Sequence, residues 1–297
     1  MNDNRKGAMV GDRKSWILPA LVSLFAFAAN SLFCRLALID GDIDPESFTA
    51  IRLLSGAIFL LLLLRMKSLS KAKGGSWKGG VLLFIYAWFF SLAYVELGAG
   101  IGALILFGSV QITMFTYSWC KGERVSYSVL AGMLIAFSGL IILLLPGSTA
   151  PEFHDSMMMA ISGIAWGAYS LIGRGAVNPI ADTSGNFLKS LPFLTCLLWG
   201  VVSGEGPQVS GAGLVYAVAS GVLASGAGYA IWYGVVKRIS AHHAAILQLS
   251  VPIIASLGAV IFLGEPISSR LLIATIAVLG GVALSLASSR KKDVAFN

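Results

Sequence analysis

The chain has 297 residues, of which 57% are hydrophobic and only 12% charged. A soluble domain carries about 25% charged residues; here the charge is too sparse to cover a water-facing surface, so the partner the composition requires is a lipid bilayer. The formal charge of +7 does not mark a nucleic-acid surface, because the basic residues lie in short connections between apolar runs and not in a patch.

Residues 1–15 are polar and read as a cytoplasmic tail, with no cleavable signal pattern ahead of the first span. A bilayer core about 30 Å thick needs about 20 helical residues. Ten apolar runs meet that length, at roughly 16–37, 46–65, 79–96, 99–119, 125–145, 156–175, 184–203, 212–235, 243–263 and 268–288. The eighth holds Gly221, Gly226, Gly228 and Gly234 and is expected to kink. Residues 289–297 form a second polar tail. Ten spans put both termini on one side. If connections alternate, that side collects Arg5, Lys6, Arg13, Lys14, Arg65, Lys67, Lys71, Lys73, Lys78, Lys121, Arg124, Lys237, Arg238, Arg290, Lys291 and Lys292. The positive-inside rule makes it the cytoplasm. Asp40, Asp42, Asp44, Glu46, Glu152, Asp155 and Glu205 gather on the other side.

Two recurrences divide the chain. Ala29-Asn30-Ser31-Leu32-Phe33-Cys34-Arg35-Leu36-Ala37 returns 139 positions later (Ala29 to Ala168) as Ala168-Tyr169-Ser170-Leu171-Ile172-Gly173-Arg174-Gly175-Ala176. The stretch from Ala103 to Gly122-Glu123 returns 142 positions later, from Ala245 to Gly264-Glu265. Each copy has five spans, and an odd number forces the second copy into the membrane upside down. The expected fold is therefore an all-α integral membrane protein of ten transmembrane helices. It comprises two inverted five-helix repeats, 16–145 and 156–288, joined by a linker at 146–155, with both termini in the cytoplasm. In such proteins the substrate site lies at the repeat interface near the midplane.

The residues resemble the drug/metabolite transporter superfamily, in its ten-helix branch with two EamA repeats. The resemblance rests on Ala244-Ala245-Ile246-Leu247-Gln248-Leu249-Ser250-Val251-Pro252-Ile253-Ile254-Ala255 to Gly264-Glu265-Pro266, on Pro45 followed by Arg52, and on Trp166-Gly167. The first half departs at Gly122-Glu123-Arg124, which lacks the proline, and at Ala28-Ala29, where a Trp-Gly pair is usual. Within the family the chain is most similar to bacterial exporters of aromatic amino acids. The resemblance implies export of small metabolites across the bacterial inner membrane, through a central cavity that opens to alternate sides.

The repeat nominates the site. Ser23, Phe27 and Asn30 share a helical face, and Ser162, Trp166 and Tyr169 form the equivalent face one repeat later. Either these faces pack helices together or they line a cavity. Asn, Tyr and Trp tips need hydrogen-bond partners that lipid does not supply, which favours the cavity. Tyr86, Phe90 and Tyr229 lie deep in the third and eighth spans and would suit an uncharged or aromatic side chain. Tyr94 and Tyr233 lie nearer span ends and read as interfacial anchors. Gln248, deep in the ninth span, is interhelical glue or a substrate contact. The substrate-binding candidates are thus Phe27, Asn30, Tyr86, Phe90, Trp166, Tyr169, Tyr229 and Gln248.

Ionisable groups at membrane depth need a reason. Arg35 and Arg174 can snorkel to an interface. Arg52 is about two turns into its span and is expected to pair with Asp44, Glu46 or Glu96 and close the outer side. Lys189 is expected either to hold structure or to meet an amino-acid carboxylate. No Asp or Glu stands in the middle of a span, so transport is expected to run down the substrate gradient without obligate proton coupling.

No cofactor or metal is expected. Cys34, Cys120 and Cys196 lack metal-ligand spacing, and the adjacent His242 and His243 diverge on a helix. No His-Glu-x-x-His or Gly-Lys-Ser/Thr motif suggests an enzyme. Drug or nucleotide-sugar transport, with proton or exchange coupling, is the alternative inside the family. A small-molecule substrate and lipid are the expected partners, and a monomer is the expected state.

Overall fold

The computed structural model describes residues 15–69, 74–122, 127–144, 151–197 and 206–295, and the regular elements there are helical apart from one isolated bridge, Ile43 to Val209. In chain order they are α1 (Ile17–Leu38), α2 (Pro45–Met66), α3 (Trp77–Ala93), α4 (Ala99–Cys120), α5 (Tyr127–Leu144) and α6 (Phe153–Gly173). Then come α7 (Pro179–Ser190), α8 (Gly211–Val236), α9 (Ala241–Gln248), α10 (Val251–Leu263) and α11 (Ser269–Ala295). By length and apolarity α1, α2, α4, α6 and α8 qualify to cross a membrane, while α3, α10 and Ser269–Gly281 are apolar but shorter.

The helix starts are punctuated alike in the two halves. Asp44 caps α2 through the Ser47 amide and Pro45 follows; Asn178 caps α7 through the Ile180 and Ala181 amides and Pro179 follows. A side-chain acceptor followed by proline satisfies and pre-forms the first turn. Ser76 and Ser210 cap α3 and α8 through the Gly79 and Gly213 amides, without a following proline. The sequence repeat is thus written in the caps as well as in the apolar faces.

Five expected spans differ in detail. The seventh, expected at 184–203, begins at Pro179, and its α-helix ends at Ser190 in a 3-10 turn, Leu191–Cys196. Pro192 has no amide for the Leu188 carbonyl and its ring crowds that group, which ends the α pattern; residues 198–205 lie outside the described residues. The ninth breaks into α9 and α10, because Pro252 denies an amide to the Gln248 carbonyl. The glycine-rich eighth contains a π-helical segment, Ser220–Ala227. The sixth starts at Phe153, ahead of 156, and α11 continues to Ala295, past 288. Of the linker, 146–150 lies outside the described residues, as does most of the amino-terminal tail.

Packing follows a pseudo-two-fold pattern. α3 packs on α6, and α8 on α1; α4 packs on α6, and α10 on α1; α7 packs on α3, and the π segment of α8 on α2. The pairs α5–α11, α4–α10 and α2–α7 match themselves. Hydrophobicity is inverted relative to a water-soluble core. Leu18, Phe25, Ile58, Leu62, Ile261 and Phe262 are exposed, whereas Ser23, Asn30, Arg52 and Gln248 are buried. Close approach depends on small residues. A Cβ on Gly163 would meet the Leu106 carbonyl and Ser109, and one on Gly221 would meet Ser55 Oγ and the Arg52 carbonyl.

Gly221→Val should therefore lower the thermal unfolding midpoint in detergent, by the equivalent of about 1–3 kcal/mol of overpacking. Gly280→Ala, where a Cβ meets nothing within 4 Å, should leave the midpoint unchanged or raise it.

Candidate functional site

The polar residues in the interior converge on one place. α1 brings Phe27 and Asn30, α2 Arg52, α3 Tyr86 and Phe90, α6 Trp166 and Tyr169, α8 Ser220, Ser225 and Tyr229, and α9 Gln248. Both repeats contribute, and every one of these side chains is buried. In hydrocarbon or protein interior an unpaired polar group is expensive, and the hydrogen bonds run accordingly. Arg52 donates from Nε to Ser225 Oγ at 2.9 Å, and from Nη2 to the Tyr86 and Tyr229 hydroxyls at 3.0 and 2.6 Å. The two phenol oxygens lie 3.0 Å apart. Asn30 donates to the Tyr86 hydroxyl at 3.0 Å and accepts from Ser220 Oγ at 2.6 Å.

Aromatic rings complete the cluster. Trp166 lies 4.5 Å from Tyr229, 5.0 Å from Tyr86, 5.2 Å from Phe27 and 5.4 Å from Tyr169, centroid to centroid. The Arg52 guanidinium stands 5.0 Å from the ring centroids of both Tyr86 and Phe90, within cation–π range. Gln248 faces Trp166: the indole N–H donates to Gln248 Oε1 at 2.7 Å, while Gln248 Nε2 donates to the Ala244 carbonyl at 3.2 Å. The arrangement can hold a small apolar or aromatic body against rings while offering amide, hydroxyl and guanidinium groups to a polar end.

The cluster is shut at both ends of α2. At its amino-terminal end, the Asp44 amide donates to the Gln208 carbonyl, the Gln208 amide to Asp44 Oδ2, and the Ser210 amide to the Asp42 carbonyl, at 3.0, 2.9 and 2.7 Å. At the other end, the Gly75 amide donates to Asp182 Oδ1 at 2.9 Å and the Ser76 amide to Asn186 Oδ1 at 2.8 Å. Lys189 Nζ donates there to the Gly74 and Gly75 carbonyls. A cavity of about 130 Å³ lies inside this second seam, lined in part by Asp182, Asn186 and Tyr233.

Eight of the residues nominated from sequence are therefore neighbours, and Arg52 joins them. One expectation about charge is corrected. Arg52 bonds to neutral hydroxyls and not to Asp44, Glu46 or Glu96; Asp44 is engaged in its helix cap and in the Gln208 amide. Lys189 is outside the cluster and clamps a loop, the structural one of its two expected roles. Tyr94 and Tyr233 are buried, not interfacial anchors: Tyr94 donates to the Ala99 carbonyl, and Tyr233 donates to that of Tyr169 and accepts from Asn186. Arg35 does reach a helix end, where it bonds the Tyr94 and Val95 carbonyls and lies 3.7 Å from Glu265. Glu265 in turn accepts the first amide of α4, from Ala99, at 3.0 Å. The sequence reading missed Ser220 and Ser225. They stand five apart, a spacing that shares a face only on the π turn they occupy.

The model of the EamA-like transporter family matches residues 14–145 and again residues 156–287. The chain belongs to the EamA-like transporter family. It is thus a multi-pass membrane transporter of the drug/metabolite superfamily with two EamA repeats. A Pseudomonas aeruginosa protein described only as uncharacterized is 50% identical over 279 residues, covering 93% of this chain and 96% of its own. An uncharacterized transporter of Bacillus subtilis is 27% identical, covering 95% of this chain and 98% of its own. One of Archaeoglobus fulgidus is 23% identical, covering 91% and 97%. A crystal structure of a protein at 19% identity superposes with a TM-score of 0.72 over 94% of this chain and 99% of its own, which shows a shared fold. None of these names a substrate.

Gln248→Leu strips the buried Trp166 indole of its acceptor. It should destabilise the transporter by about 1–3 kcal/mol, read as a lower unfolding midpoint. Trp166→Phe added to Gln248→Leu should cost less than the two single losses combined, because the orphaned donor is then gone.

Proposed function

We propose that the transporter is a ten-span exporter of the bacterial inner membrane, with both termini in the cytoplasm. It moves small amphipathic metabolites, neutral and aromatic amino acids foremost, by alternating access. The observation that carries this reading is the buried polar and aromatic cluster, built by both repeats and sealed by a separate seam at each end. An interior site with two independently breakable seams is what alternating access requires.

The seams also support the inverted ten-span reading. In that topology the first, third, seventh and ninth connections face outward, and the second and sixth face the cytoplasm. The contacts join the first connection to the seventh (Asp44 with Gln208), the third to the ninth (Ala99 at its edge with Glu265), and the second to the sixth and the seventh span (Gly75 with Asp182, Gly74 with Lys189). Each joins connections assigned to one side. The two family matches, residues 14–145 and 156–287, support repeats at 16–145 and 156–288. No carboxylate is among the residues of the cluster, which supports movement down the substrate gradient without obligatory protons.

Two measurements test the proposal. In intact cells a membrane-impermeant thiol reagent should label Asp40→Cys but reach Cys120 only after permeabilisation, each as the sole cysteine; the reverse pattern overturns the topology. In proteoliposomes, counterflow should favour phenylalanine, tryptophan and threonine over sugars and cationic dyes and should persist without a pH gradient. Dye movement in exchange for protons would point to the other branch of the family.

A further inference from the structure

The charge of the cluster is not balanced. Arg52 is fully buried, yet its partners are a serine, two phenols and two ring faces, all neutral. Its Nη1 atom, worth two of the guanidinium's five N–H donors, is buried without a hydrogen-bond partner. The acids at the two seams are committed elsewhere: Asp44 to a helix cap and the Gln208 amide, Asp182 to Gly75 and Asn178, Glu265 to Ala99 and Arg35. A cation held in low dielectric with hydroxyls in place of a counter-ion is costly. In a membrane interior such a group marks the path of something that interacts with it.

We infer that the substrate supplies the missing charge: Arg52 is the receptor for a carboxylate, and the transported molecule is a small monocarboxylate with an apolar or aromatic body. This rests on the transporter reading above and narrows it. Phe27, Trp166 and Tyr229 offer the body a wall of rings, with Phe27 5.2 and 5.9 Å from Trp166 and Tyr229. The free Nη1 donors offer the carboxylate an unoccupied, charge-assisted contact. No acidic side chain of the cluster awaits an ammonium, so an α-amino group is tolerated, not required. A plain monoanion neutralises Arg52, whereas a zwitterion leaves the site with its net positive charge. Of the two roles open to Lys189, the carboxylate contact falls to Arg52, since Lys189 is engaged with loop carbonyls.

The test is a matched set on one aromatic body: 3-phenylpropanoate, phenylalanine, phenylalanine amide and phenethylamine. Flux is measured in liposomes containing the full-length protein, with flux through protein-free liposomes subtracted, and binding is followed as the ligand-induced rise of the unfolding midpoint. The two carboxylates should exceed the amide and the amine by at least about tenfold, the scale of one hydrogen bond to a charged group. Arg52→Gln should bring the carboxylates down to the level of the amide, and Arg52→Lys should retain part of the preference. Equal handling of acid and amide by the native protein overturns the inference while leaving the export of amphipathic metabolites standing. So does an acid-to-amide ratio unchanged in Arg52→Gln. If no member of the set moves or binds, both readings fall. The comparison within the native protein needs no variant, so it decides the matter even if Arg52→Gln does not fold.

Discussion

A single guanidinium organises the interior of this transporter. Arg52 arises from the second helix, but its hydrogen bonds end on Tyr86 of the third and on Ser225 and Tyr229 of the eighth. It therefore ties the first repeat to the second at the pseudo-two-fold axis. Around it neighbouring polar groups are linked in turn: the Tyr86 phenol bridges to Asn30, and Asn30 bridges to Ser220. In low dielectric such hydrogen bonds strengthen one another, and any vacancy among them is correspondingly costly. The interior is in this sense a polar network with an aromatic jacket, surrounded by the apolar surfaces that face lipid.

The repeat explains why the network is central and the chemistry why it is lopsided. Backbone features are duplicated faithfully: Asp44-Pro45 against Asn178-Pro179, Ser76 against Ser210. Side chains at the axis are not. Asn30 corresponds to Tyr169, Phe27 to Trp166, and Leu106 to Gln248. A scaffold with two equal halves gives a hydrogen-bonded seam at each end of α2, while unequal tips make the cluster between them chemically different from one side to the other. The π segment of α8 belongs to the same asymmetry. Its wider turn brings Ser220 and Ser225 to one side, and the absence of side chains at Gly221 and Gly226 lets α2 come close.

Much of this was legible in the sequence because helical periodicity and repetition are local properties. Phe27, Asn30, Trp166 and Tyr169 were found from spacing and from a shared 139-residue offset, and the structure does bring them together. Arg52 was recognised as anomalous, but its partners were sought among acids near the outer end of its span, since charge seeks charge. The actual partners are hydroxyls far along the chain, which carry no charge signature. Ser220 and Ser225 escaped notice because the α period puts them on different faces. Tyr94 and Tyr233 looked like interface anchors by depth alone; helix packing, invisible to a depth argument, turns both inward. The breaks at Pro192 and Pro252 follow from the missing amide, but where the chain goes after each break depends on its neighbours.

The paired seams bear on what the membrane must withstand. A solute path open at both ends is a channel, and a membrane that stores energy as an ion gradient is drained by any continuous file of water. Here both seams are docked at the same time, and the cluster between them is almost completely excluded from solvent, Tyr86 and Phe27 being the most accessible of its rings at 3% and 4%. Held in this state, the protein insulates. Many copies in this state open no continuous file of water across the bilayer.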